Sequence, residues 1–211
     1  MSEEPRVATD EELYGPWDSY SPERVAEIMS VVTRPWWIAG GWAIEFHLGG
    51  PQRREHEDVD VLVLREDAVA VQRELVDWDL HLASREEGVR SWEPGAGLPD
   101  DVGDIWIREP DAGAWRFQLM LNPSDGQDWI CKRDRVLRLP LAEIGLRTQS
   151  GVPYLRPEIQ LLHKGTGSLG IREKDEEDFR AALPLLDAGA LRWLRDALRR
   201  VRTDHPWLDA L

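Results

Sequence analysis

The stretch that decides the fold reads WWIAGGWAIEF at residues 36–46 and REHEDVDVLVL at residues 54–64. Its first four residues are apolar and predict a short buried strand. Gly40 and Gly41 follow at once and predict a tight turn, and the next residues predict a short helix. The order strand, glycine turn, helix and acidic strand is therefore compressed into one short part of the chain.

The acidic half of this stretch predicts a strand over residues 58–64, apolar on both faces after Asp60 and hence central in a sheet. Asp58 and Asp60 are two residues apart, so a strand places both on one face, about 7 Å apart along the chain. Two carboxylates this close repel each other unless a cation lies between them. Magnesium binds such carboxylates and completes its octahedron with phosphate oxygens and water, so the pair predicts a Mg²⁺ site.

The glycine turn fits the same site. Glycine lets backbone N–H groups approach an anion closely, and the helix that follows adds the positive end of its dipole. Taken alone, a Gly-Gly pair is most often only a turn, and an Asp-x-Asp pair is most often a solvated strand end or a helix cap. Their order here favours a triphosphate held at Gly40 and Gly41 and bridged by the metal to Asp58 and Asp60.

Composition restricts the class of protein. The 211 residues carry a net charge of −14, which argues against general nucleic-acid binding and against docking on an anionic membrane. The charge is compatible with a cationic small acceptor, although acidity also serves solubility. The single cysteine, Cys131, excludes an internal disulfide and a cysteine-based zinc site. Without a signal peptide or an apolar run of membrane-spanning length, a cytoplasmic protein is expected.

Three regions are predicted along the chain. Residues 1–20 are expected to be loosely ordered, residues 21–150 to form a mixed α/β domain, and residues 151–211 to form a helical lobe, with a ligand cleft between the last two. Apolar spacing predicts strands over 79–83, 104–108 and 115–121, a loop over 91–103, and helices from Pro22 and over 67–78, 157–164, 173–186 and 188–202.

The quoted stretch closely resembles the antibiotic nucleotidyltransferases, in particular the 2″-aminoglycoside and lincosamide adenylyltransferases of the polymerase-β-like superfamily. The likeness is strong over residues 36–64 and weaker over 115–121, 157–164 and 174–179. It implies an α+β fold, a mixed sheet flanked by helices with a C-terminal helical lobe.

The resemblance also implies an activity. An acceptor hydroxyl would attack the α-phosphorus of a nucleoside triphosphate, and pyrophosphate would leave. The expected reaction is Mg²⁺-dependent transfer of AMP from ATP, or of another nucleotide, to a hydroxyl of an aminoglycoside-like or lincosamide-like molecule, as in antibiotic resistance. Asp58 and Asp60 would hold the metal and align the phosphates for in-line attack.

The resemblance assigns further residues to nucleotide binding. Gly40 and Gly41, with Trp42 beside them, would cradle the phosphates. His56 would shape the site, although a buried, hydrogen-bonded histidine explains it equally well. Lys164 would lie near the triphosphate, and its alternative interpretation is a lysine on the solvent side of its helix.

One position departs from the family pattern. A third carboxylate, general base or ligand to a second metal, is expected where this chain has Gln118. An amide cannot serve as a general base near neutral pH. Either Asp104 or Glu109 supplies the acid group, or the enzyme relies on positioning and metal electrostatics, or transfer activity has been lost.

Two functions of different classes therefore remain open: an enzyme in which Asp58, Asp60 and Gln118 lie at the reacting centre, and a degenerate module that binds Mg-NTP or a partner without turnover. Transfer onto RNA is disfavoured by the acidic charge. The acidic stretch 173–178 is explained here as a helix start that interacts favourably with the helix dipole.

Overall fold

A computed structural model describes residues 14–84, 86–168 and 170–211, and within them the fold is built on one mixed sheet. The described helices are α1 Pro22–Met29, α2 Gly40–Leu48, α3 Ala68–Glu74, α4 Pro157–Gly165, α5 Glu173–Ala182 and α6 Ala188–Val201. The described strands are β1 Trp36–Ile38, β2 Asp60–Leu64, β3 Asp79–Ser84, β4 Gly88–Ser91, β5 Val102–Arg108, β6 Phe117–Asn122, β7 Asp128–Ile130, β8 Arg138–Pro140, β9 Gly145–Arg147 and β10 Pro153–Leu155.

Eight of these strands form the main sheet in the order β4-β3-β5-β6-β2-β1-β10-β9, and β7 pairs with β8 separately. The pairs β2–β6 and β1–β10 are parallel, and the remaining pairs are antiparallel. The sheet is therefore mixed, and the predicted α+β class is confirmed. The strand β2 lies between β6 and β1 with Val61, Leu62, Val63 and Leu64 all buried, as its apolar run predicts.

Several predicted elements begin elsewhere. The strands expected from Asp104 and Trp115 begin at Val102 and Phe117, and the loop expected over 91–103 is shorter because β4 ends at Ser91. The acidic strand begins at Asp60 rather than Asp58. Gly40 and Gly41 form the first turn of α2 rather than a separate turn. Ala39 donates its backbone N–H to the carbonyl oxygen of Asp60 at 2.8 Å, so the chain between β1 and α2 is tied directly to the start of β2.

The helix start at Pro22 is confirmed. The Ser21 hydroxyl accepts a hydrogen bond from the Arg24 backbone N–H, and Pro22 occupies the first helical position. Two other predicted helices are shorter: the one expected over 67–78 spans Ala68–Glu74, and the one expected over 173–186 ends at Ala182, before a 3₁₀ turn at Leu183–Leu185. Pro184 explains the second early end because its nitrogen carries no hydrogen to donate.

The helices of the last third of the chain pack on α2 and on one another. Both α4 and α5 contact α2, and α4 also contacts α5 and α6. The face of α6 built by Ala190, Leu194, Ala197 and Leu198 is buried. This packing brings the carboxyl-terminal helices against the glycine turn. Among the residues that the structure describes, no helix combines the length and the apolar character needed to cross a bilayer.

The predicted boundaries at 20/21 and 150/151 do not coincide with breaks in the hydrogen-bonded structure. Of the segment expected to be loosely ordered, residues 1–13 lie outside the described residues, whereas residues 14–20 lie along the β5–β6 hairpin: the N–H groups of Asp18 and Tyr20 donate to the carbonyls of Trp115 and Arg116. The boundary at 150/151 falls within the hairpin that joins β9 to β10, and β10 pairs with β1. The purely helical part therefore begins at Pro157.

Candidate active site

The acidic pair and Gln118 meet at the start of β2. Asp60 and Gln118 are direct partners in the parallel β2–β6 pair. The Gln118 Nε2 group donates to Asp60 Oδ1 at 2.5 Å and to Asp58 Oδ2 at 3.2 Å. One amide nitrogen thus bridges both carboxylates, so the oxygens of Asp58 and Asp60 converge on a single point.

The environment of this pair disfavours two negative charges. Burial raises the pKa of Asp58 above its ordinary value. Burial, together with the charge of Asp58, raises the pKa of Asp60 to about 7, although the hydrogen bond from Gln118 acts in the opposite direction. A divalent cation would stabilise both ionised carboxylates, and the donor set of two convergent carboxylates fits Mg²⁺.

The two glycines let the backbone of the first turn of α2 lie very close to Asp60 and to His56. Gly40 has a φ of +62°, and a Cβ atom there would lie 1.9 Å from Asp60 Oδ2. A Cβ atom on Gly41 would lie 2.4 Å from the His56 ring. The Gly40 backbone N–H donates to Gln160 Oε1 at 2.9 Å, so this amide is engaged by α4. Both positions therefore require glycine for space, and Gly40 requires it for its backbone conformation as well.

His56 is buried behind the glycine turn. Its ring lies 4.5 Å from that of Trp42, measured between centroids, at an interplanar angle of 31°. Its Nε2 atom is 3.4 Å from Glu45 Oε1, and the side chain is 3% exposed. Burial lowers the pKa of His56, and the charge of Arg54 lowers it further. His56 lines the cleft, whereas Trp42 packs behind it and is not among the cleft-lining residues.

Lys164 lies in a buried group of charges rather than on the solvent side of α4. Its side chain is 6% exposed, and its ammonium lies 3.2 Å from Asp175 Oδ1 and 2.9 Å from Asp178 Oδ2. Asp178 also binds Arg53 at 2.8 Å and Arg54 at 3.1 Å. These ion pairs connect the segment before β2 with α4 and α5.

The helix-dipole explanation of the acidic stretch 173–178 therefore needs correction. Asp175 and Asp178 are buried ion-pair partners, and Asp178 is fully inaccessible to solvent. Burial alone would raise the pKa of Asp178, but the Arg54 hydrogen bonds and the charge of Lys164 outweigh it, so the pKa lies below its usual range. The sequence pattern does not show that Asp175 and Asp178 are buried ion-pair partners, because acidic residues near a helix start are also typical of exposed helices.

The acidic pair opens into a polar cleft of about 260 Å³. Among the residues that the structure describes, four cationic side chains line it, namely Arg54, Lys164, Arg172 and Lys174. Among these, only Lys164 was predicted from the sequence as a site residue, and Gln160 was not predicted either. Arg54 lies in the stretch that decides the fold, whereas Arg172 and Lys174 lie together near the start of α5, so only folding shows that the three surround one cleft.

Of the two candidates for the third carboxylate, Asp104 lies in the cleft and Glu109 does not. The carboxylate of Glu109 is bound by the Tyr20 hydroxyl and by Arg116 Nε, away from the cleft. Asp104 lines the cleft, and its charge raises the pKa of Asp60. Within the described part of the chain, no group of three or more His, Cys, Asp or Glu side chains is arranged to hold a metal ion. A metal at this site would therefore depend on Asp58 and Asp60, with phosphate and water as further ligands.

A larger cavity of about 880 Å³ adjoins the cleft. Asp104, Gln118, Met120 and His163 line both spaces. The rest of the cavity wall combines aromatic, acidic and basic side chains, among them Tyr14, Trp106, Glu86, Asp101, Lys132 and Arg133. A molecule in this cavity would approach the acidic pair from the side of Gln118.

The chain is similar to known antibiotic adenylyltransferases in part of its sequence and in its fold. The sequence model of the aminoglycoside-2″-adenylyltransferase family matches residues 23–90. The crystal structure of the lincosamide antibiotic adenylyltransferase LnuA, lincomycin-bound, is similar over 80% of this chain and 99% of its own, with 14% identity and a TM-score of 0.52. ANT(2″)-Ia in complex with adenylyl-2″-tobramycin is similar over 84% of this chain and 96% of its own, with 16% identity and a TM-score of 0.53.

No curated protein matches the chain significantly in sequence. The resemblance carried by the glycine turn and the acidic pair is confirmed, since both lie within residues 23–90. The predicted nucleotidyltransferase fold is likewise confirmed by the two solved structures.

Proposed function

We propose that this chain is a Mg²⁺-dependent nucleotidyltransferase that moves AMP from ATP to a hydroxyl group of a small aminoglycoside-like or lincosamide-like molecule. The observation that carries the proposal is the convergence of Asp58 and Asp60 beside the glycine turn, within a cleft lined by four cationic side chains. The family match over this segment and the shared fold support nucleotidyl transfer.

Asp58 and Asp60 would hold the metal. When bound, Mg²⁺ would neutralise phosphate charge and polarise the α-phosphoryl group. The contribution of the chain is to keep both carboxylates at one point through the β2–β6 register and to admit the phosphates past Gly40, where a side chain would collide with Asp60.

The cationic side chains would bind the triphosphate. Lys174 is the most readily available, because its partner Glu57 is 85% exposed and such surface pairs contribute little stability. Lys164 would act through its charge while remaining paired with Asp175 and Asp178. His56, which lines the cleft, would hold the turn in place, and Trp42 would support His56 from behind.

The adjoining cavity would hold the acceptor. Its acidic residues Glu86, Asp101 and Asp104 would attract the amino groups of a cationic sugar, and Tyr14 and Trp106 would pack against its apolar faces. LnuA binds lincomycin, and ANT(2″)-Ia is in complex with adenylyl-2″-tobramycin. Asp104 would accept the proton of the reacting hydroxyl, because it lies where the cavity joins the cleft.

The test is incubation of the full chain with ATP labelled at the α-phosphate, Mg²⁺ and a panel of aminoglycosides and lincosamides. Labelled antibiotic is expected with the wild type and is expected to be lost in Asp58→Ala and Asp60→Ala. Glu109→Gln serves as the matched control, because Glu109 points away from the cleft. Absence of labelled product with every acceptor would contradict the proposal.

A second candidate function is binding of Mg-ATP without turnover. It is favoured by Gln118, which faces Asp58 and Asp60 directly and cannot take up a proton. Equilibrium binding of radiolabelled ATP with Mg²⁺, measured beside the transfer assay, separates the two. Saturable binding lost in Asp60→Ala, without product from any acceptor, is expected for the binding module.

A further inference from the structure

The side chain of Gln118 occupies the point between the two candidate metal ligands. Its Nε2 atom lies 2.5 Å from Asp60 Oδ1 and 3.2 Å from Asp58 Oδ2. Both contacts come from one NH₂ group, which has two hydrogens and therefore one for each carboxylate. The side chain starts directly opposite Asp60 in the β2–β6 pair, so the sheet register fixes its position.

The chemistry of the three groups determines which end of the amide faces the pair. Ionised carboxylates only accept hydrogen bonds, and an amide oxygen at the same point would face two further acceptors. Hydrogen bonds to buried charged groups are among the stronger ones, and buried carboxylates without partners are costly. The amide therefore offsets part of the repulsion that a cation would otherwise remove.

We propose that Gln118 is a positioning residue whose amide substitutes for the divalent cation, holding Asp58 and Asp60 together without metal and releasing both when the metal binds. The inference rests on the proposed function for the identity of the cation. It makes Gln118 a competitor of the metal and not a ligand to it. The hydrogen bonds that stabilise the metal-free chain are broken on metal binding, so they weaken the affinity by the same amount.

This competition predicts opposite changes in two properties. Replacing Gln118 by a residue that cannot donate should destabilise the metal-free protein, because the carboxylates then repel without compensation. The same replacement should strengthen metal binding, because no bonds must be broken. A ligand role through the amide oxygen predicts weaker metal binding instead, and a passive role predicts no change in either property.

The first experiment measures the affinity of the full chain for Mn²⁺ at pH 8 in the absence of nucleotide. Free Mn²⁺ is quantified from its electron paramagnetic resonance signal. Gln118→Ala and the bulkier Gln118→Leu are both expected to bind Mn²⁺ about tenfold more tightly than the wild type. The control is Gln127→Ala, which removes an exposed glutamine in the turn after β6 and should leave the affinity unchanged. Weaker or unaltered Mn²⁺ affinity in both Gln118 variants would overturn the inference.

The second experiment contains neither metal nor nucleotide. In EDTA, Gln118→Ala is expected to lower the melting temperature by about 2–4 °C. In an Asp60→Asn background the same substitution should have a much smaller effect, because one bridged carboxylate is gone. Equal effects of Gln118→Ala in the two backgrounds would overturn the inference even if transfer activity were intact.

The two experiments separate failure of this inference from failure of the proposed function. The melting temperatures could show that Gln118 and Asp60 are coupled while neither the wild type nor any variant binds Mn²⁺. That result would overturn both the proposal that the Gln118 amide substitutes for a cation and the proposed metal site. If both arms behave as expected but no acceptor is labelled, the role of Gln118 stands and only the proposed transfer reaction fails.

Discussion

Asp104 lies where the cleft meets the larger cavity. If it accepts the proton of the acceptor hydroxyl, Asp104→Asn should lower kcat about 100-fold or more while leaving the KM for ATP nearly unchanged. Steady-state kinetics with the acceptor identified by the labelling assay would measure both constants.

The matched comparison is Glu109→Gln. Both substitutions convert an acid on or beside β5 into its amide, but Glu109 is bound by Tyr20 and Arg116 outside the cleft. If the two variants had the same kcat, Asp104 would have no specific role in the chemistry.

Asp178 is predicted to govern stability in acid. Its pKa is depressed in the folded protein, so it contributes stability above its unfolded pKa of about 4, which is lost as the pH falls through the lower folded value. Asp178→Asn leaves Lys164, Arg53 and Arg54 without their shared partner and should cost about 3–5 kcal/mol at pH 7.

Urea unfolding at pH 7, 4 and 3 tests this prediction. The difference between wild type and Asp178→Asn should shrink below pH 4, because the wild-type carboxylate becomes protonated there. Glu177→Gln changes an exposed acid on the same helix and should have little effect at any pH. A difference that does not depend on pH would contradict the assignment to charge.

Residues of the site were predictable where the signal is local. Asp58, Asp60, Gly40 and Gly41 lie within one short stretch whose spacing requires a shared face and a close approach. The position of Gln118 was identified through the family pattern, and its hydrogen bonds to the pair appear only in the folded sheet. Arg172 had no comparable signal, and Lys174 had only the weaker family likeness over 174–179, because a charged residue near a helix start is ordinary on any protein surface.

At the scale of elements, the first turn of α2 sets the shape of the site. Gly40→Ala places a side chain at a φ of +62° and against the carboxylate of Asp60. The backbone conformation alone should cost about 1–2 kcal/mol, and displacement of Asp60 should weaken Mg-ATP binding as well. Thermal unfolding and nucleotide-binding measurements on the variant would show both effects.

Gly50→Ala is the control for this substitution. Gly50 follows the same helix, and a Cβ atom there meets nothing within 4 Å. Nucleotide affinity in Gly40→Ala as high as in Gly50→Ala would show that the close approach to Asp60 is unimportant for binding.

Element types were predicted better than their ends. The apolar runs identified β2, β5 and β6 because a strand buried on its inner face needs apolar residues at regular positions. The glycine turn was placed before α2 because Gly40 and Gly41 are typical of turns, but both belong to its first turn, where Gly40 lies against Asp60 and Gln160 and Gly41 lies against His56.

At the scale of the whole molecule, the sheet and the helical part should unfold together. The strand β10 continues the main sheet beside β1, and α4 supplies Gln160 to the glycine turn. We expect a single transition in denaturant followed by far-ultraviolet circular dichroism and tryptophan fluorescence, with coincident midpoints. A fragment ending at residue 150 should lack that cooperative transition.

Separate midpoints for the two probes, or a fragment 1–150 that unfolds cooperatively on its own, would contradict this expectation and favour the predicted division at 150/151. The sequence indicated that division because its strands are concentrated before it and its helices after it. The pairing between β1 and β10 could not be predicted from either segment, since each is a short apolar run without a feature that identifies its partner.

The bond between the Gly40 amide and Gln160 has a consequence for how the protein is made. It joins residues 120 positions apart, and the parallel pair Ile38–Tyr154 spans nearly the same interval. During synthesis from the amino terminus, the glycine turn leaves the ribosome long before its partners exist. The nascent chain therefore carries an unfinished cleft until the helices from Pro157 onward have emerged, and such long-range closure favours slow folding.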